Sequence, residues 1–491
     1  KINLNDSNLI LNSKETYSKK FSIYKFDQNF NYFDFINHLR DELKVYSKID
    51  GNFFFINTFK NKEFLSDPKK LKKFFKNYNV KYLLFTPWLD YSDYNFITNR
   101  SYTRNEAKAH FLKIKKLIRS INPDIKLLVP LQSNIIGLDD EIQNIIKKNN
   151  KIEEGFNHYS INAEYLIEKF NSAIDKNELI FDENNNVLFE TYFPDNKYGS
   201  KNIVKIALAL KAYNKGYLYN KLVEQINFVL DEIKFDGVYI DQLNQYYINA
   251  KHKISFKNHK NNFGDINIKT GKIIKEYENI LLNTQTFEKE LFEYLKQKTK
   301  FVFVNTHHIH DNLRKEEIVR IAEGFWYFWA AKLWKDDNKQ FASTRSFYSS
   351  HLSTPVAFSL SFGQKGDWKN EPHNTLVKNL RYSLFSGNLI YFLPQDILKL
   401  NLNNNNLNIF QKIYPIEVLR INEGVVTGKN KIISIKSIKL DIKKFKKSKI
   451  YIFDKFGYSM NNIDNRIQLS SNFVEIILDE KNEILVVDLN S

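Results

Sequence analysis

Phe235-Asp236-Gly237-Val238-Tyr239-Ile240-Asp241-Gln242 is the stretch that decides the fold. Upstream, from Leu218 to Ile233, apolar residues recur at Leu222, Ile226, Val229, Leu230 and Ile233, a helical spacing. Asp236-Gly237 then reads as a turn and Val238-Tyr239-Ile240 as a short buried strand. Asp241 falls at the C-terminal end of that strand. In a (β/α)8 barrel that end forms the face carrying the reacting groups. The competing reading makes Asp241 the cap of a following helix or part of a loop.

The same alternation extends in both directions. Phe53 to Asn57, Val80 to Trp88 and Lys126 to Gln132 read as three strands, with a Lys-rich helix after the first and an amphipathic one from Arg104 to Ile121. Val187 to Glu190 reads as a fourth, Val238 to Asp241 as a fifth and Phe301 to Asn305 as a sixth. Ile318 to Phe328 and Val356 to Phe362 supply a seventh and eighth, and Gly387 to Pro394 is one strand more than the count requires. Strands separated by helical patterns argue for parallel βαβ units. An open doubly wound sheet is the other α/β solution, but no Gly-rich phosphate loop opens any helix. The expected fold class is therefore α/β, a (β/α)8 barrel over 49–398. A short β-rich lead-in over 1–48 precedes it, and an Asn-rich loop around 401–408 follows it. Over 409–491 short alternating runs separated by turn residues predict a small all-β domain, a β-sandwich.

Composition bounds the class. The chain has 491 residues, 43% of them hydrophobic and 26% charged, as in a folded protein with a sizeable core. No uninterrupted apolar run reaches the length needed to span a bilayer, so no integral membrane segment is expected. The absence of cysteine excludes disulfides, thiolate nucleophiles and Cys-based metal sites. A chain that opens at Lys1-Ile2-Asn3-Leu4 and avoids sulfur fits a mature or trimmed form of a secreted or cell-surface (periplasmic) protein, though the avoidance of sulfur fits a biased genome too. The net charge of +17 is spread along the chain and comes with no recognisable nucleic-acid-binding motif. It admits an anionic partner such as an acidic polysaccharide.

The Phe235-to-Asp241 run resembles the F-D-G-x-x-x-D strand of many TIM-barrel glycoside hydrolases. A barrel followed by a small β-sandwich is also similar to the layout of many glycosidases acting on α-linked sugars. That resemblance implies a glycoside hydrolase cleaving a poly- or oligosaccharide with two carboxylates, one ionised and one holding a proton. Asp241 is the first candidate. Glu323, in Ile321-Ala322-Glu323-Gly324-Phe325-Trp326, is the second, among aromatics that would raise its pKa by desolvation. Glu190, in Leu188-Phe189-Glu190-Thr191-Tyr192, is the third. Against these, Glu323 could pair with Arg320 or Arg345, and Glu190 could cap a helix. The resemblance is to retaining enzymes with a strand-end Asp, which makes Asp241 nucleophile and Glu323 acid/base. An inverting pair of Glu190 with Asp241 is the alternative within that chemistry.

Sugar binding is expected of aromatic and polar groups near those strand ends. Trp88 and Trp326 could stack on sugar faces, while Gln132, Gln242 and Asn305 could bond hydroxyls. His307, His308 and His310 read as a substrate-binding loop after Asn305. With Asp311 they are similar to the metallo-β-lactamase signature but depart from it: the Asp comes one position early and no His follows at 312 or 313. No metal and no other cofactor is expected. Two other classes stay open, a non-catalytic carbohydrate-binding barrel and a His-rich metallohydrolase.

Overall fold

A computed structural model describes the chain from residue 23 to residue 489, apart from 26–28, 57, 59–60, 86–93, 96–99, 102–103, 134, 139, 152–156, 163–173, 193–204, 242, 244–253, 258–262, 306–309, 311–312, 324–349, 361–371, 394–399, 401 and 403–405. Eight strands form its centre: β1 (Asn52–Ile56), β2 (Val80–Phe85), β3 (Lys126–Gln132), β4 (Gly237–Asp241), β5 (Phe301–Asn305), β6 (Val319–Glu323), β7 (Val356–Leu360) and β8 (Leu389–Leu393). They are hydrogen-bonded in chain order into a closed barrel, and every neighbouring pair is parallel. Helices occupy the crossovers β1–β2 (Pro68–Asn77), β2–β3 (Arg104–Ile121), β3–β4 (Tyr217–Asn227), β4–β5 (Ile280–Lys298) and β7–β8 (Pro372–Phe385). Between β5 and β6 the described residues hold only a turn. Most of the β6–β7 crossover, 324–349, lies outside the described residues.

Aromatic rings fill the barrel. Phe53 of β1 lies 5.3 Å from Phe303 of β5, 5.4 Å from Tyr391 of β8 and 6.1 Å from Tyr239 of β4. Tyr82 of β2 reaches Phe303 at 4.8 Å. Offset and edge contacts at these distances suit the ring quadrupole, so the interior is a packed core and not a pore.

The Phe235-to-Asp241 run divides its labour along its length. Phe235 is buried against Phe111 of helix Arg104–Ile121, with ring centroids 5.5 Å apart. Asp236 ties β4 to β3: its carboxylate accepts from the Leu127 backbone N–H at 2.8 Å and from the Arg119 guanidinium. Gly237 is the first strand residue and does not make the turn. The residue in the left-handed region is Lys234, at φ 58°. Gly237 is needed for close approach, because a Cβ there would lie 2.0 Å from the Phe301 carbonyl oxygen and 2.8 Å from Leu128 Cδ2.

The Val187-to-Glu190 expectation is corrected. That segment belongs to Val187–Tyr192, in a four-stranded antiparallel sheet with Ile135–Gly137, Lys205–Ala209 and Asn157–Ile161, inserted between β3 and β4. Leu389–Leu393, the supernumerary run, is the eighth barrel strand instead. A second insertion, between β4 and β5, is a three-stranded sheet of Ile254–Ser255, Phe263–Ile266 and Ile273–Asn279. The two insertions meet at a buried ion pair: Lys211 Nζ lies 2.8 Å from Glu278 Oε2, and the Tyr213 hydroxyl donates to the same carboxylate at 2.8 Å. Both leave from the C-terminal ends of their strands, so both stand at the barrel mouth.

Most of the β-rich lead-in expectation falls on residues 1–22, outside the described residues, and the described part contains a helix. Tyr32–Glu42 is a helix, capped by Asn31, which accepts from the backbone N–H groups of Phe33 and Asp34. The Asn37 side chain then bonds both backbone groups of Ile421, and Lys48–Ile49 pairs with Ile416–Glu417.

The C-terminal part holds a six-stranded sheet, Lys48–Ile49, Ile416–Asn422, Val425–Gly428, Lys431–Ser434, Ile484–Asp488 and Lys449–Phe453 in spatial order. A three-stranded sheet covers it, Ile438–Asp441, Phe473–Ile476 and Ile467–Leu469 in spatial order. Ile484-Leu485-Val486-Val487 shows why both faces are apolar. Ile484 and Val486 join the barrel's core, while Leu485 and Val487 join a separate core with Leu440 and Ile476 of the small sheet. Alternation sends successive side chains to opposite faces.

Two expected outcomes follow from this packing. Gly237→Ala forces a backbone shift between β4 and β5 and should lower unfolding free energy by about 3 kcal/mol or leave the protein insoluble, read by urea denaturation. The second concerns acid. His351 and His373 are buried, each with Nε2 donating to a backbone carbonyl (Ser386 at 2.7 Å, Phe456 at 2.9 Å) and Nδ1 accepting from a tyrosine hydroxyl (Tyr32 at 2.9 Å, Tyr78 at 3.0 Å). Burial pushes both imidazoles down to about 4. The unfolded chain protonates near 6.5 and the native state does not, so stability falls as pH drops from about 6.5 to about 4, by about 3 kcal/mol per histidine. Denaturation series at pH 7, 5.5 and 4.5 should show this loss, with a shallower slope in His351→Gln and His373→Gln than in the wild type.

Candidate functional site

The ends of the eight strands divide the barrel rim in two. β1, β2, β7 and β8 end on Ile56, Phe85, Leu360 and Leu393. The four consecutive strands β3 to β6 end on Gln132, Asp241, Asn305 and Glu323. Both insertions spring from this polar half, after β3 and β4.

Strand alternation sets the direction of Asp241. Tyr239 packs against Phe53 inside the barrel, and a residue two further along a strand shares its face, so Asp241 points into the mouth. Its register partner on β3 is Gln132, which lies on the face of Leu128, the residue beside Gly237. On β5, Asn305 shares the face of Phe303. The Asn305 amide donates to Asp241 Oδ1 at 2.9 Å and the Tyr239 hydroxyl donates to the same oxygen at 3.0 Å. Two donated hydrogen bonds fix the carboxylate's rotamer. The backbone is held as well: Ser133 Oγ donates to the Asp241 carbonyl at 2.6 Å, and the Leu243 N–H donates to the Asn305 carbonyl at 3.1 Å. Asn305 is fully buried and Gln132 nearly so. The segment that Asp241 would cap, 242 and 244–253, lies outside the described residues; among the described residues its carboxylate is bonded by side chains of β4 and β5.

Glu323 is the last residue of β6, two strands from Asp241, and its backbone pairs with Phe358 of β7. Arg320 is engaged elsewhere. Its Nη2 donates to the Leu313 carbonyl at 3.1 Å, its guanidinium lies 5.3 Å from the Phe292 ring, and burial pushes its pKa down to about 10. Glu190 is buried at 6% exposure in the inserted sheet, with Ala207 and His158 as register partners, and ends no barrel strand. It shares the face of Leu188, whose small apolar cluster includes Ala207 and Ile280. His310 is drawn to the helix Ile280–Lys298, its Nε2 3.2 Å from Thr284 Oγ1. Trp88, Gln242, His307, His308 and Trp326 lie outside the described residues. Among the described residues no three His, Asp or Glu side chains stand together as a metal site.

Tyr239 and Ser133 are the site residues that sequence reasoning passed over. Tyr239 read as strand core, although its spacing from Asp241 already placed both on one face. Ser133 carried no signal, because its contact is to a strand 108 residues away.

No family model matches the sequence, and no curated protein matches it. Among solved structures, the chain is similar to a maltogenic alpha-amylase, AmyB, from Thermotoga neapolitana, at 12% identity and TM-score 0.41 over 89% of this chain and 99% of that one. It is similar to an alpha-amylase from Malbranchea cinnamomea at 9% identity and TM-score 0.42, covering 91% and 97%. A pullulanase from Paenibacillus barengoltzii aligns at 8% identity and TM-score 0.41, covering 92% and 80%. Likeness at these values assigns no chemistry to this chain, which must be read from its own residues.

The hydrogen bond between Asn305 and Asp241 can be tested without any activity. Asn305→Asp sets a second carboxylate against Asp241 Oδ1 in a buried position. The pair can share one proton at low pH, but at higher pH both must ionise. Relative to wild type, the variant should lose roughly 3 kcal/mol of stability between pH 4 and pH 8. Denaturant midpoints across that range check it; a difference independent of pH would contradict the geometry.

Proposed function

We propose that the protein is a glycoside hydrolase acting on an oligo- or polysaccharide at the polar half of the barrel mouth. The observation that carries this reading is Asp241: a strand-end carboxylate aimed into the mouth, with Oδ1 held by Asn305 and Tyr239. Glu323 supplies the second carboxylate from β6. Strands two apart in a sheet have backbones roughly 9–10 Å apart, and the proposed mechanism needs the two carboxyl groups about 5–9.5 Å apart.

In the retaining course, an Asp241 oxygen bonds to the anomeric carbon as the glycosidic C–O bond breaks, and Glu323 gives its proton to the departing oxygen. Water then attacks the anomeric carbon, returns its proton to Glu323 and frees Asp241. No cofactor enters these steps. Asn305 and Gln132, both buried at the same rim, flank Asp241 on β5 and β3, and the Asn305 amide orients its carboxylate. The finer expectations belong to this proposal too: an exported protein, and a substrate that includes acidic glycans in keeping with the net charge of +17.

Product release from a panel of neutral and acidic polysaccharides tests the reading. Asp241→Asn should reduce turnover at least about 1,000-fold with the unfolding midpoint little changed, since the amide is nearly isosteric but a poor nucleophile. Glu323→Gln should spare the first step on an activated aryl glycoside, slow substrates with poor leaving groups and remove the basic limb of the pH profile. Saturable glycan binding with no reducing ends released would identify a binding barrel instead. Loss of turnover on dialysis against EDTA, restored by zinc, would move the chemistry to His307, His308 and His310.

A further inference from the structure

The insertion that follows β4 ends in a hairpin. Phe263–Ile266 pairs with Ile273–Asn279, and the turn between them runs Asn267-Ile268-Lys269-Thr270-Gly271-Lys272. Every residue from Asn267 to Ile274 is exposed, and a Cβ built on Gly271 would meet no atom within 4 Å. Three of these exposed residues are isoleucines: Ile268 at 97% exposure, Ile274 at 67% and Ile273 at 45%. Ile268 is the most exposed large apolar side chain among the described residues. Aliphatic side chains scattered singly over a surface are ordinary, but three around one turn are not.

The turn bonds its own backbone. The Asn267 side-chain oxygen accepts from the N–H groups of Lys269 at 3.0 Å and Thr270 at 3.2 Å. The Asn267 carbonyl accepts from the Gly271 N–H at 2.7 Å, and the Asn267 N–H donates to the Lys272 carbonyl at 2.8 Å. Amides paired in this way can leave water at little cost. The charge at the tip is of one sign. No carboxylate lies between Asp265 and Glu276, and neither Lys269 nor Lys272 has an ion pair among the described residues. Lys275, further down the strand, is already partnered: its Nζ lies 2.5 Å from Glu183 Oε2 and 4.3 Å from the centre of the Phe256 ring. From Asn267 to Ile274 there is no aromatic ring on which a sugar could stack.

We propose that this hairpin tip docks on an anionic lipid bilayer, with Ile268, Ile273 and Ile274 among the upper acyl chains and Lys269 and Lys272 at the lipid phosphates. Aliphatic side chains on a paired backbone favour the acyl region, and the long lysine stems leave their ammonium groups at the headgroups. The isoleucines select a bilayer over a soluble anion; the lysines select acidic headgroups over zwitterionic ones. A second copy of the chain fits less well, because it would bring like-charged tips together. The net charge of +17 over the whole chain acts in the same direction as the two tip lysines. Since the hairpin belongs to an insertion at the barrel mouth, a docked molecule holds that mouth near the lipid surface. Docking does no chemistry and stands whether or not the mouth is hydrolytic.

Flotation of the full chain tests this, with vesicles of equal parts phosphatidylcholine and phosphatidylserine and with vesicles of phosphatidylcholine alone. The protein should float with the mixed vesicles and not with the zwitterionic ones. The chain has no cysteine, so Ile268→Cys and Lys443→Cys each create one attachment point for an environment-sensitive fluorophore. On mixed vesicles the label at 268 should shift to the blue and escape quenching by iodide. The label at 443, exposed in the lysine cluster of the C-terminal part, should do neither. Ile268→Ser combined with Ile274→Ser keeps every charge and should lower partitioning about tenfold, which attraction between charges alone would not produce. Lys269→Gln combined with Lys272→Gln should lower it about tenfold too. Asp241→Asn should float as the wild type does, which separates docking from failure of the hydrolase reading. Absence of the protein from the mixed vesicles would overturn the proposal. So would equal binding to both kinds of vesicle, unchanged partitioning in the serine pair, or protection of the label at 443 in place of 268. A wild-type dimer that the serine pair converts to a monomer would assign the tip to contact between copies and overturn it as well.

Discussion

A closed ring of parallel strands must fill its own interior, and the rings of Phe53, Tyr82, Tyr239, Phe303 and Tyr391 do so here. The functional geometry depends on that filling. Because strand side chains alternate with period two, the choice that sends Tyr239 inward also sends Asp241 into the mouth two residues later. The same parity on β5 takes Phe303 to the core and Asn305 to the carboxylate. A slip of one residue in either strand would turn the site outward and bring Val238 and Val302 into the barrel. Register is held from below, by the Asp236 carboxylate on the Leu127 N–H and by the close approach of Gly237 to Phe301.

The rim is asymmetric, and the insertions follow that asymmetry. Four strand ends are apolar and four consecutive ones are polar. The four-stranded and three-stranded sheets leave from β3 and β4, inside the polar arc, and are joined by Lys211, Glu278 and Tyr213 away from solvent. A buried pair of this kind adds little net stability compared with an apolar replacement, yet removing one partner is costly. Its effect is to hold the two insertions against each other. At the other end of the molecule, Asn37 on Ile421 and Asn52 on Phe410 fasten the C-terminal sheet to the barrel. That join leaves a lysine-lined cavity between them.

Local pattern carried much of this. The apolar runs at 53–56, 80–85, 126–132, 238–241, 301–305, 356–360 and 389–393 were legible as strands because each is short, β-branched or aromatic, and flanked by helical spacing. Val187–Tyr192 has the same composition, so composition alone could not tell a barrel strand from one in an antiparallel sheet. Only pairing distinguishes them. The Tyr32–Glu42 helix was missed for a related reason: its stabilising contacts, the Asn31 cap and the Asn37 bonds to Ile421, carry little weight in a window of hydrophobicity.

What the sequence determined by itself was the alternation of strand and helix, the position of Asp241 at a strand end, and the change to short alternating runs after Pro415. These depend on neighbours within a few residues, where periodicity and turn chemistry operate. Tertiary structure alone decided which strands close the barrel and that Glu190 lies outside it. It also brought Asn305, Tyr239 and Ser133 onto Asp241, and placed Lys431 and Lys449 on either side of Asp488. Apart from Tyr239, two residues before Asp241, those contacts join positions tens to hundreds of residues apart, and chain closure, not local preference, selects them.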